Sequence, residues 1–160
     1  MAIYWTKYKK FINKRDKMTF MKVDTKDVEI VRVLQRNSRA SIRDIAKAAR
    51  LRPSTVHQRI VRMKKNGVIE RFTVKLNDEA MSEDFAAFIL VTTKKDFEES
   101  VFADEHVKEV CGVTGEYDLL FKLKFRDVSE FNTFLLKFRK SPCIEKTLTM
   151  VVTTKIKEDA

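Results

Sequence analysis

The chain has 160 residues, enough for one medium domain or two small ones, and a formal net charge of +10 at pH 7. No apolar run approaches the roughly 20 residues of a membrane-spanning helix, and the N-terminus lacks the apolar core and cleavage site of a secretory signal. Two cysteines without metal-ligand spacing exclude a zinc site, so the sequence predicts a soluble, cytoplasmic protein with buried thiols, no metal and no cofactor.

Charge divides the chain. Residues 1–22 hold seven Lys/Arg and one acidic group, residues 23–76 fourteen and five, and residues 77–160 twelve and seventeen. A basic front on an acidic back fits a polyanion-binding domain joined to a domain with another task.

Residues 1–21 form a basic, aromatic extension, with Tyr4, Tyr8, Phe11 and Ile12 on one helical face among lysines. Three readings stay open for it: an arm reaching DNA, an amphipathic helix on a membrane or partner, or an extension upstream of the true start at Met18 or Met21. Asp24 caps a helix with apolar positions Val28, Val31 and Leu34, Ile30 alongside, and Asn37–Arg39 break it.

Ser41–Arg71 then reads as two short helices joined by a tight turn. Ser41 and Asp44 have the spacing of a capping box, and Ile42, Ile45, Ala46 and Ala49 form one stripe. Pro53 suits the first turn of the second helix, where Val56, Ile60 and Met63 face inward. Asn66-Gly67 ends that helix, because Gly accepts the left-handed conformation of a C-terminal cap. Thr55, His57, Gln58, Arg59 and Arg62 are left on its polar, basic side. The pattern is a winged-helix-like helix-turn-helix with a recognition helix, and its expected partner is double-stranded DNA. Alternation of Phe72, Val74 and Leu76 with Arg71, Thr73 and Lys75 predicts a half-exposed strand, closing a DNA-binding domain over residues 22–76. Residues 77–84 are polar and read as a linker.

The remainder, 85–157, has a β-α-β-β-α-β rhythm. Strands are predicted at Phe85–Thr93, Val107–Val113, Leu119–Phe125 and Thr147–Ile156. Helices are predicted at Phe97–Asp104 and Val128–Arg139, the latter with Val128, Phe131, Leu135 and Phe138 inward. That order is a ferredoxin-like α+β sandwich, a four-stranded antiparallel sheet with two helices on one face. Its second and fourth strands are opposite edges, which puts Cys111 and Cys143 beyond disulfide reach.

The helix-turn-helix, with Val23-Asp24, Asp27, Leu34, Arg39, Arg59 and Asn66-Gly67-Val68-Ile69, precedes a sandwich carrying Val113-Thr114-Gly115-Glu116-Tyr117-Asp118. Together they resemble the Lrp/AsnC, or feast/famine, transcription regulators over about residues 22–157. The resemblance implies homodimers formed through the sandwich, assembly into octamers, and an amino-acid effector bound near Gly115, Glu116, Tyr117 and Asp118. It also implies three departures. Arg50 stands in the inter-helix turn where the family has Gly, which costs steric strain. Arg52 stands where a Ser caps the recognition helix, a loss of about 1 kcal/mol unless Ser54 or a DNA phosphate substitutes. Ser82 replaces a linker glycine and stiffens the hinge.

Candidate DNA contacts follow from chemistry. Ser41 and Arg43 open the first helix of the motif and suit phosphates, as do Arg52 and Ser54 beside the second. Thr55, His57 and Gln58 lie early on the recognition helix and suit base edges. Arg59 and Arg62 can read guanine bidentately, or bind phosphate or an internal carboxylate; for Arg59 the family's retention of Arg favours the internal role. Gly115 and Tyr117 are either a turn glycine and a packed aromatic, or part of a pocket where backbone N–H groups hold a carboxylate and an acidic side chain an ammonium. No catalytic constellation is present in the sequence. The reading is a sequence-specific transcription regulator responsive to an amino acid. The alternatives are an architectural DNA-compacting protein and an amino-acid-sensing subunit of an enzyme.

Overall fold

Side-chain caps start three of the four longer helices in the computed structural model, which describes residues 22–95, 97 and 99–157 and divides after Val74 into two compact units. The basic extension lies outside the described residues. In the first unit, helix α1 (Thr25–Arg36) opens on a closed capping box. The Asp27 amide donates to Asp24 Oδ1 at 2.9 Å and the Asp24 amide to Asp27 Oδ2 at 3.2 Å.

Helix α2 (Ile42–Ala49) is capped by Ser41 Oγ, which accepts the Asp44 amide at 3.2 Å. The expected reciprocal bond is not made: Asp44 instead accepts the Ser41 hydroxyl at 2.6 Å. Helix α3 (Pro53–Lys65) has Pro53 in its first turn. Ile30, Ile45, Ala46, Ala49, Val56, Ile60 and Met63 form the core of this unit. Ile30 is its α1 centre, whereas Val28, expected inward, faces solvent; a stripe centred on Asp27, Ile30, Val31 and Leu34 fits the 3.6-residue period better.

Helices α2 and α3 end alike. The Leu51 amide reaches back to the Ala46 carbonyl at 2.9 Å, as the Val68 amide reaches Met63. The residue bending the chain in the second case is Gly67, at φ +70°; in the first it is Arg50, at φ +52° and ψ +53°. The expected strand over Phe72–Leu76 does not form: no strand of the described residues pairs with it, and its apolar side chains stay exposed. Alternation prepares a strand, but only a neighbour's hydrogen bonds make one. Ser38 Oγ donates to the Thr73 carbonyl at 3.2 Å and Lys64 Nζ sits 5.5 Å from the Phe72 ring centre.

The second unit holds β1 (Phe85–Thr93), α4 (Glu99–Phe102), β2 (Val107–Gly112), β3 (Leu119–Phe125), α5 (Val128–Arg139) and β4 (Ile144–Val151). The sheet is antiparallel in the order β2-β3-β1-β4, the ferredoxin-like arrangement, with β2 and β4 at the edges. Its covered face carries Ala87, Ile89, Val91, Leu119, Phe121, Leu123 and Phe125. Phe97, Phe102 and Phe138 gather around Phe121, with ring centres 5.3–6.2 Å apart. Phe131 and Phe134 of α5 do the same around Phe125. Val128, expected inward on α5, is exposed in the first turn, and Phe134 takes its place in the stripe. The expected helix over 97–104 shortens to α4, and the last strand runs three residues earlier than its expected start. On the opposite face Leu90 stands beside Leu120 and Leu148, and Phe88 beside Met150.

Residues 77–84 fold onto this unit rather than trailing free. The Glu83 amide bonds the Asp78 carbonyl at 2.8 Å, with Ser82 left-handed at φ +54°. Asp78 pairs with Lys124 at 2.5 Å and with Lys155, and Glu83 with Lys108 at 2.7 Å.

Candidate DNA interface and effector turn

The first turn of α1 organises the helix pair. Lys26 Nζ donates to the Ala49 carbonyl at 2.8 Å, closing the C-terminus of α2 with a cation where the helix dipole favours one. One residue on, Asp27 is fully buried and meets both arginines of α3. Arg59 Nη1 lies 2.7 Å from Asp24 Oδ2 and 2.8 Å from Asp27 Oδ1. Arg62 Nη2 lies 3.1 Å and 2.8 Å from the two Asp27 oxygens. The Arg59 guanidinium, with the Asp27 amide, holds the Asp24 carboxyl below the usual carboxylate range. The internal alternative open for Arg59 is the arrangement observed, and it extends to Arg62.

The other candidates are placed differently. Ser54, His57 and Gln58 are exposed on α3 and Thr55 is half-buried at its edge. Arg52 begins the helix without a side-chain cap, and neither it nor Arg43 makes an ion pair among the described residues. Ser41 presents its hydroxyl to Asp44 and keeps an exposed position. So α3 offers a mainly uncharged outer face early in the helix, with free cations at its start and at the start of α2. That combination suits groove insertion between phosphate contacts.

In the second unit the turn after β2 is tied down from three sides. Gly115 has φ +125°, a conformation that side chains resist, with open space where a Cβ would lie. Asp118 Oδ2 accepts the Thr93 amide at 2.7 Å and the Thr93 hydroxyl at 3.1 Å, while the Asp118 amide donates to Val91 at 2.9 Å. Asp118 therefore anchors the turn to β1 through Oδ2. Thr92 Oγ1 donates to the Glu116 carbonyl at 3.1 Å. The Glu116 carboxylate pairs with Lys146 of β4, whose ammonium lies 5.4 Å from the Tyr117 ring centre. Glu116 in turn pushes the Lys146 pKa up. Thr93 and Lys146, which hold this turn, are not legible in the sequence, because they lie 25 and 30 residues from their partners.

A cavity of about 420 Å³ lies elsewhere in this unit, lined by His106, Arg126, Glu130 and Phe134 among others and by none of Gly115–Asp118. His106 stacks on Phe125 at 4.7 Å, its Nδ1 2.8 Å from Asp104 Oδ1. Among the described residues no group of His, Cys, Asp and Glu is arranged to hold a metal ion, and no helix is long and apolar enough to cross a membrane.

Comparison with known proteins places both halves. Residues 23–64 match the AsnC-type helix-turn-helix domain and residues 86–160 the Lrp/AsnC ligand binding domain. The HTH-type transcriptional regulator FL11 of Pyrococcus abyssi is 35% identical over 140 residues, covering 85% of this chain and 93% of that protein. An uncharacterized HTH-type transcriptional regulator of Pyrococcus horikoshii is 36% identical over 143 residues, covering 87% and 97%. Among solved structures, a transcriptional regulator from Neisseria meningitidis in complex with L-Met superimposes with a TM-score of 0.81 at 25% identity, covering 86% of this chain and 94% of that one. E. coli AsnC shares the fold, with a TM-score of 0.78 at 24% identity, covering 88% and 98%.

Proposed function

The chain belongs to the Lrp/AsnC family and is a DNA-binding regulator of transcription, and from that premise we propose how it reads DNA and what controls it. Thr55, His57 and Gln58 read base edges in the major groove, while Ser41, Arg43, Arg52 and Ser54 take phosphates. The observation that carries this reading is the exposed, largely uncharged face of α3 flanked by Arg43 and Arg52, which make no ion pair among the described residues. The uncapped amides at the start of α3 add a further phosphate donor set, since a helix N-terminus favours anions.

Control comes from an amino acid bound at the Gly115–Asp118 turn, in the cytoplasm, between copies of the chain. The exposed turn and the family's ligand-binding domain support this, as does the L-Met complex of the Neisseria meningitidis regulator. Backbone N–H groups of the turn take the carboxylate of the amino acid, and Glu116 or Asp118 takes its ammonium. The apolar sheet face around Leu148 and Met150, each 43% exposed, suits a homodimer interface, from which larger assemblies such as octamers are built.

Separate substitutions test the DNA assignment. Gln58→Ala relaxes base preference at one position of each half-site, by about 1–3 kcal/mol. Arg43→Ala weakens all sequences alike and lowers the salt slope by about 1. Selection from random duplexes checks both; identical preferences in the two variants would refute the division of roles.

A further inference from the structure

We propose that Asp27 is a positioning residue for DNA recognition: it holds Arg59 and Arg62 of α3 off the DNA, so that neither arginine contributes a base or phosphate contact. This rests on the DNA-binding reading of α3 and goes further, because it removes the two strongest apparent guanine readers from the interface.

The Asp27 side chain is fully inaccessible to solvent, while those of Arg59 and Arg62 are 22% and 46% exposed. A buried carboxylate is tolerated only where cations and N–H donors satisfy it, and Asp27 receives both guanidiniums and the Asp24 amide. Taking either arginine to a phosphate would strip a buried charge of a partner in exchange for a contact at a wet surface. The buried loss is the larger of the two.

Helical geometry agrees. Three residues apart, Arg59 and Arg62 share the flank of α3 that faces α1, whereas Ser54, His57 and Gln58 occupy the outer face. Asp24 completes a group of two carboxylates and two guanidiniums with no net charge. The result is a recognition helix braced by its own arginines and read through neutral side chains. Specificity gains, because cations free on α3 would attract any phosphate regardless of sequence.

The test is the salt dependence of binding to random-sequence duplex DNA, followed by fluorescence anisotropy with the full chain between about 50 and about 200 mM salt. Asp27→Asn keeps the shape and removes the charge, freeing Arg62 and leaving Arg59 with Asp24 alone. The plot of log K against log salt is expected to steepen by about 1 per protomer, with tighter binding at the low-salt end. An unchanged or shallower slope overturns the proposal. Should Asp27→Asn fail to fold by thermal melting, Arg62→Gln decides, since it leaves Arg59 on Asp27. An unchanged slope supports the proposal, and a slope reduced by about 1 per protomer overturns it. A merely structural brace would change the melting temperature without moving the slope in Asp27→Asn. If the wild type shows no salt-dependent DNA binding, the DNA reading of α3 falls and this inference with it. If it does and only the variants disagree, the role of Asp27 alone is wrong.

Discussion

Arg50 occupies a conformation that glycine adopts freely, and nothing in its surroundings explains the choice by packing. Its backbone closes α2 through the Leu51–Ala46 bond, while its side chain is exposed and makes no ion pair among the described residues. A left-handed side-chain-bearing residue costs roughly 1–2 kcal/mol, and glycine loses about 0.5–1 kcal/mol in chain entropy. Arg50→Gly should therefore stabilise the protein by about 0.5–1 kcal/mol, read as a shift of the urea midpoint at constant slope. A destabilised variant would show that the turn is relaxed around Arg50. Arg52, two residues on, likewise gives up a cap for a cation. Both departures put positive charge beside the start of α3.

At the scale of elements, what holds the second unit together differs from its two sides. On the covered face the phenylalanines of α5 and β3 pack ring against ring, an apolar arrangement indifferent to pH. On the linker side the cohesion is ionic. Lys124 and then Lys155 hold the Asp78 carboxyl below its ordinary value. A depressed carboxylate stabilises the fold fully above its unfolded pKa, near 3.9, and loses that contribution as pH falls through the lower folded value. Asp78→Asn should thus be less stable than the wild type at neutral pH. The gap should close as pH drops below about 4. Thermal melts of both proteins across that range check it; a gap constant down to pH 2 would remove Asp78 from the account of acid stability.

For the whole molecule, control of assembly is the measurable consequence. A ligand moves an assembly equilibrium only by its differential affinity for the two states. If the Gly115–Asp118 turn holds an amino acid between copies, light scattering should show a size change with one member of an amino-acid panel. Gly115→Val should abolish that response, because φ +125° strains any β-branched residue there even though space for it is open. DNA binding through α2 and α3 should persist in the variant. A wild type whose size never responds would favour an architectural role for the assembly over effector control.

The sequence by itself determined whatever is settled within a few residues of chain. Asp24, Ser41, Pro53 and Gly67 mark their helix ends through backbone groups no more than five residues away. The 3.6 and 2.0 apolar periods, read in order, were enough for a helix-turn-helix followed by β-α-β-β-α-β, and the Thr-Gly-Glu-Tyr-Asp turn carried the family. Tertiary structure decided what those elements do to one another. It made Arg59 and Arg62 partners of Asp27 and tied the Gly115–Asp118 turn to β1 through Asp118. It also put Phe134 where Val128 was expected, and formed no strand over Phe72–Leu76, because no strand of the described residues runs beside it. Caps and periods are local and therefore written in order along the chain. Which charge meets which carboxylate depends on surfaces that exist only once the helices and the sheet have packed.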